Sequence, residues 1–259
     1  MFFQIKSYLK FIWQSKNEHG VHSPFVFNLV TKCFYDKESK PAYKVLTEYR
    51  NSLLKNKNTI KVTDFGAGSK VFKSNTRQIA KIAKTAGITR KRAELLFRIT
   101  NYFQPSIILE IGTSLGLATS ALALGATKAS VTTLEGCSNT ANQCQLQLQK
   151  FNINNVELII IEFNDYLQSC NLKTEICQLI YFDGNHSKTA TLEYFELLLP
   201  TIANESVWIF DDIHWSAGMK EAWEIIKKHP KVTVTIDTFQ WGMVFFRREQ
   251  EKEHFVIRV

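Results

Sequence analysis

The chain has no CxxC pair, no GxGxxG turn and no uninterrupted apolar run near the ~18 residues of a membrane helix. Each absence removes a class of protein. The five cysteines, Cys33, Cys137, Cys144, Cys170 and Cys177, are odd in number and scattered, which excludes a zinc knuckle or disulfide frame. They read as thiols of a reducing compartment, and the expected location is the cytoplasm. Lacking a long apolar run, the chain is expected not to insert into a membrane. The opening MFFQIKSYLKFIWQSK is broken by Lys6 and Lys10 and is followed by no small-residue cleavage site, unlike a secretory leader. The missing dinucleotide turn argues against a nicotinamide-dependent oxidoreductase. Disorder is excluded as well, because 45% of residues are hydrophobic and only 22% charged.

What is present is unevenly distributed. The net charge is +8, yet residues 1–100 hold twenty of the 32 Lys+Arg and only six of the 24 Asp+Glu. A basic first part beside an acidic remainder suggests two different jobs. The lysines either line solvated helix faces or meet an anionic partner such as RNA, a phosphorylated substrate or acidic lipid.

Periodicity divides the chain into a helical extension, residues 1–57, and a larger domain, residues 58–259. The extension holds three helical patterns: FQIKSYLKFIW, SPFVFNLVTKCF with Pro24 after Ser23, and AYKVLTEYRNSLLK after Pro41. Two further helical stretches, TRQIAKIAKTAG and TRKRAELLFRITNYF, precede Pro105, with Thr89 as an N-cap. From residue 106 short apolar runs (SIILEI, SVTTLE, VELIII, QLIYFD, SVWIFDD) alternate with amphipathic stretches. That rhythm predicts an α/β, Rossmann-like, doubly wound and mostly parallel sheet. KVTVTIDTF and WGMVFFR are too close for a crossover helix and should pair as a C-terminal antiparallel hairpin, giving seven strands. The last stretch, EKEHFVIRV, is an edge strand or a tail.

Ligands of such sheets bind beyond the carboxyl ends of the strands. After the first strand stands Glu110-Ile111-Gly112-Thr113-Ser114-Leu115-Gly116, leading into a helix whose N-terminus favours an anion. The second strand ends in Glu135-Gly136, where a carboxylate can accept both hydroxyls of a ribose. A rival cluster, Asp64-Phe65-Gly66-Ala67-Gly68-Ser69, is not followed by a second strand ending in an acid, and reads as a structural turn or a substrate-side loop, or else as a contributor to the site. After the third strand, Phe163 can pack on an adenine face and Asn164 or Asp165 accept from its amino group; a helix cap by Asn164 explains the same residues. The fourth and fifth strands end in Asp183 and in Asp211-Asp212. Three carboxylates at neighbouring strand ends resist joint ionisation unless a cation such as Mg²⁺ or Mn²⁺ joins them. His186, Lys188 and His214 are the acid/base candidates, and Trp215 and Trp241 could wall an aromatic substrate.

ILEIGTSLGLATSAL, the strand-ending Glu135, DGNH and IFDDIHW together resemble the class I S-adenosylmethionine-dependent methyltransferases. More narrowly they resemble the cation-dependent O-methyltransferases of the catechol and caffeoyl-CoA type, over roughly residues 90–247. The resemblance implies that Glu110 and Gly112, with Thr113, Ser114 and Gly116, hold the methionine end of S-adenosylmethionine. It implies that Glu135 and Gly136 hold the ribose, that Phe163, Asn164 and Asp183 complete the cofactor site, and that Asp183, Asp211 and Asp212 bind the cation. His186 or Lys188 would take the proton of a small hydroxylated acceptor. Two positions depart from the pattern: Asp211-Asp212 stands where the family has Asp-Asn, and His186 stands where it has lysine. HGVHSPFVF looks like an N-terminal signature of bacterial methyltransferases, with His19 and His22 facing the site and the helices of residues 1–57 forming a lid or a homodimer surface. The alternative reading is an RNA-directed methyltransferase or RNA-binding protein that uses the basic first part.

Overall fold

A computed structural model describes residues 2–63, 65, 72, 74–169 and 176–259. The chain forms two compact units, one made of its two ends (Met1–Tyr35 with Leu167–Val259) and one of its middle (Asp36–Tyr166).

The end unit begins with α1 (Phe2–Gln14) and α2 (Pro24–Leu29). Pro24 occupies the first turn of α2, and the Ser23 hydroxyl accepts the Val26 N–H, the start that the Ser-Pro pair predicts. The helix then widens into a π-helical turn at Val30–Phe34.

The middle unit opens with α3 (Pro41–Lys55), followed by an antiparallel pair, β1 (Thr59–Lys61) with β2 (Thr76–Gln78). The periodicity of TRQIAKIAKTAG suggested helix from its first residue. Instead, Thr76–Gln78 pair with β1, and α4 (Ile79–Thr85) starts only where apolar residues recur at helical spacing. Next comes α5 (Arg90–Phe103), capped by Thr89 as expected. The parallel strands β3 (Ile107–Ile111), β4 (Ser130–Glu135) and β5 (Val156–Ile160) follow in spatial order, joined by α6 (Leu117–Gly125) and α7 (Ser138–Lys150). In α6 the small residues let it approach α5 closely: a Cβ on Gly125 would stand 2.8 Å from the Phe97 carbonyl oxygen. The short α8 (Phe163–Gln168) ends this part of the chain.

The end unit resumes with β6 (Leu179–Phe182), α9 (Lys188–Leu198), β7 (Val207–Asp211), α10 (Ala217–Lys228), β8 (Val234–Asp237), β9 (Trp241–Phe245) and β10 (Glu253–Val256). β6 and β7 run parallel, β9 is antiparallel to both β7 and β8, and β10 lies parallel to β8. The hairpin of β8 and β9 follows from its three-residue connection. The tail becomes an edge strand, so the described residues hold eight strands of mostly parallel sheet, five in one unit and three in the other, one beyond the seven expected. Aromatic rings fill the core here, with Phe182 and Phe210 stacked at 4.1 Å and Trp208 against Phe195 at 5.5 Å. The two ends of the chain are tied together: the Lys16 N–H donates to the Val256 carbonyl at 2.8 Å and Tyr35 Oη donates to the Arg258 carbonyl at 3.0 Å. Among the described residues no helix is long and apolar enough to cross a membrane. Cys33, Cys137, Cys144 and Cys177 are buried, while Cys170 lies outside the described residues.

Candidate active site

The middle unit brings the predicted glycine turn and its acids together. The penultimate residue of β3 is Glu110, fully buried, whose Oε2 accepts the hydroxyls of Thr119 and of Thr133, the latter at 2.6 Å. The turn then leaves the strand through backbone that favours glycine, with φ of 103° at Gly112 and 77° at Gly116. Ser114 shares the left-handed region at 49°, which turns its N–H onto Glu135 Oε2 at 2.9 Å. Glu135 Oε1 accepts the Cys137 N–H at 2.9 Å, so this carboxylate ties the ends of two strands together. A side chain at Gly116 has no room: its Cβ would stand 2.5 Å from both Cys144 Sγ and Tyr49 Oη. Burial, reinforced by the Glu110 charge, pushes the Cys144 thiol up and keeps it protonated. After β5, Asn164 Oδ1 is buried and accepts from no donor among the described residues, as an atom waiting for a ligand amino group would be.

One contributor escaped the sequence. Tyr49 of α3 is fully buried and its hydroxyl donates to the Leu115 carbonyl at 3.0 Å, propping the turn from beneath. Residues after β1 lie beside the end of β4: the Thr63 N–H points at Cys137 Sγ, Asn139 Nδ2 donates to the Lys61 carbonyl at 2.8 Å, and Phe65 covers Gly136 so closely that a Cβ there would stand 2.8 Å from its ring. The rival glycine cluster therefore begins against the predicted site, although Asp64 and Gly66–Ser69 lie outside the described residues.

The end unit gathers the other acids differently from expectation. Asp211, at the end of β7, is buried, and its Oδ1 accepts the Asp212 N–H at 2.9 Å. Asp183, after β6, has its carboxyl pushed up by burial and by the neighbouring Asp211 charge, while His186 Nε2 stands 3.4 Å away. Burial alone would lower His186, but its hydrogen bond and charge interaction with Asp183, and the charges of Asp212 and Asp211, raise it to about 9. An imidazolium thus already balances these acids, and a group protonated at neutral pH is a poor proton acceptor. The expected cation cage of Asp183, Asp211 and Asp212 does not form: among the described residues no three acid, thiol or imidazole groups are placed to hold one metal ion. Lys188, the other candidate base, is the first residue of α9 and is paired with Glu221 of α10.

Asp212, with φ 54°, turns the chain away from the sheet and lines a cavity of about 420 Å³. Its other walls are Gln4, Ile5, Tyr8 and Leu9 of α1, His214 and Trp215, and Phe239 and Gln240 of the β8–β9 connection. Trp215 lines this space as predicted. Trp241 does not: it is 1% exposed and packs edge-on to Tyr181 at 6.1 Å. His19 and His22 are exposed and are not among the residues lining the cavity.

Residues 109–213 match the sequence family described as "Methyltransferase domain". No curated protein matches the chain. Three solved structures show its fold. An O-methyltransferase of Bacillus cereus in complex with S-adenosylhomocysteine is 19% identical, over 82% of this chain and 94% of that one, with a TM-score of 0.56. A methyltransferase of Podospora anserina bound to the same compound is 15% identical over 88% and 97%, with a TM-score of 0.60. An O-methyltransferase of Streptomyces achromogenes involved in tomaymycin synthesis, in complex with S-adenosylmethionine, is 15% identical over 81% and 91%, with a TM-score of 0.56. The match to the methyltransferase domain model covers residues 109–213, and the chain shares the fold of these three structures.

Proposed function

We propose, from the premise that the chain carries a methyltransferase domain, that it moves a methyl group from S-adenosylmethionine to a hydroxyl oxygen of a small, ring-bearing acceptor. The observation that carries this reading is the middle-unit turn, in which Gly112 and Gly116 adopt positive φ between a buried Glu110 and a half-buried Glu135. Glu110 supplies negative charge where a methionine ammonium would lie, and Glu135, at the end of the next strand, is a carboxylate of the kind that accepts ribose hydroxyls. Asn164 Oδ1 is an acceptor for the adenine amino group, and Phe163 stands next to it in sequence.

The bound sulfonium makes the methyl carbon electrophilic; the protein's share is positioning. In the end unit, the cavity's apolar walls, Ile5, Leu9, Tyr8, Trp215 and Phe239, favour a ring over a charged chain. The acceptor oxygen forms its bond to carbon as the carbon–sulfur bond breaks, and the hydroxyl proton must leave to a base. No step is routed through a divalent cation, because the carboxylates present do not fit one and His186 already offsets their charge. The test is transfer of labelled methyl from S-adenosylmethionine to a panel of phenols and catechols. Label in the ether product is expected, and binding of the donor with no transfer to any hydroxyl compound would refute O-methylation.

A further inference from the structure

The outer face of α1, in the end unit, is apolar, exposed and edged with positive charge. Ser7 and Phe11 are buried on its inner side, Phe11 at 5.5 Å from the Phe239 ring, and Tyr8 meets the same ring edge-on at 4.9 Å. These contacts fix which side of the helix looks out. Ile5, Leu9 and Trp13 follow one another four residues apart and so form one stripe on that side. Leu9 is 65% exposed and Trp13 83%. An indole left so largely in water gains little from the fold.

Lys6 and Lys10, both exposed, stand roughly a quarter turn round the helix from Ile5 and Leu9, and Lys16 continues the charge past its end. Arg258, from the far end of the chain, adds a guanidinium there: its Nη2 donates to the Ser15 hydroxyl at 3.1 Å and to the Ile12 carbonyl at 3.4 Å. The sequence has no Asp or Glu before Glu18. Against these cations stand Glu18, half-buried just beyond the helix, and Asp212, half-buried in the cavity wall that Ile5 and Leu9 share.

We infer that α1 lies in the plane of an anionic lipid surface, with Ile5, Leu9 and Trp13 between headgroups and acyl chains and Lys6, Lys10, Lys16 and Arg258 against the headgroup phosphates. The helix rests on the bilayer and does not span it, because 13 residues fall short of the ~20 that a span needs. Apolar burial and attraction to anionic lipid hold such a helix together, and the lysine stems lie along the apolar side while their ammonium groups stay wet. A second copy of the chain, offering the same face, would bring lysines to lysines, which charge opposes. The inference stands on the end unit alone and does not depend on the methyl-transfer reading.

Flotation of the whole protein with vesicles tests it. The wild type should float with phosphatidylglycerol and phosphatidylcholine in equal parts. Binding should be weaker by about tenfold or more with phosphatidylcholine alone, and added salt should release the protein from the anionic vesicles. Lys6→Gln and Lys10→Gln should each weaken binding about fivefold, the weight of one cation at an anionic surface. Trp13→Ser should cost roughly tenfold, and Trp13→Phe should keep most of the binding. Because these side chains are exposed, the variants should melt with the wild type. A wild type that does not float with the anionic vesicles, or a Trp13→Ser variant that floats as well as the wild type, would overturn the inference. So would a wild-type dimer in light scattering that Trp13→Ser splits, with no flotation, since the stripe would then belong to a second copy.

Discussion

The turn of the middle unit and the cavity of the end unit are built in opposite ways. In the turn, Glu110, Gly112, Ser114 and Glu135 meet across one strand–helix–strand step, and Gly116 has no room for any side chain. In the cavity, Gln4 and Gln240 come from opposite ends of the chain, and the walls are side chains of ordinary apolar types. The first is held by backbone geometry that few residues permit, and the second by packing that many sequences could supply. Chemistry common to a fold family suits the first kind of construction, and selection of an acceptor suits the second.

This contrast can be broken experimentally. The largest effect should come from Gly116→Val, where a Cβ would overlap Cys144 and Tyr49 at a φ of 77°. Strain and overpacking of this kind cost about 1–3 kcal/mol each, so a large fall in melting temperature and lost donor binding are expected. Glu135→Ala comes next. It removes a charged acceptor worth about 1.5–3 kcal/mol per bond, so donor affinity measured by calorimetry should fall roughly tenfold to a hundredfold, with the fold retained on circular dichroism. Tyr8→Ala should do the converse, leaving donor affinity intact while raising the KM for a phenolic acceptor several-fold.

A pH effect is expected in the end unit. The His186 value is raised in the folded state, so its stabilising contribution is complete below the ordinary histidine value of about 6.5 and is lost as pH climbs through about 9. The melting temperature should therefore drop by several degrees between pH 7 and pH 10, and His186→Gln should flatten that drop. The smallest effect is a null one. Adding EDTA should leave methyl transfer unchanged, whereas loss of activity restored by Mg²⁺ would mean that the carboxylates rearrange around a cation.

What could be read in advance follows the same division. Alternating apolar runs disclosed β3 to β7 because strands buried on both faces need continuous Val, Ile, Leu and Phe. The hairpin of β8 and β9 was legible because three residues cannot hold a crossover helix. Glu110, Gly112 and Glu135 were legible because their spacing is set by one repeating unit of the fold. Tyr49 was not, since a buried tyrosine looks the same in sequence wherever it packs. Asp183 and Asp211 were placed correctly at strand ends, yet their charge balance with His186 depends on angles between loops that spacing does not encode. Trp241 could have been separated from Trp215: it opens the apolar run WGMVFF, all of it buried, whereas Trp215 stands in the polar loop after a strand. The pairing of His214 with Asp237 had no local signal, because the two residues stand 23 positions apart in the chain.

The most direct test of the central claim is calorimetric titration of the purified protein with S-adenosylmethionine, with NADH as the control ligand. Binding of the methyl donor in the micromolar range, lost in Glu135→Ala and absent for NADH, is the predicted result. No heat of binding with the methyl donor at millimolar concentration, from protein that melts cooperatively, would contradict it.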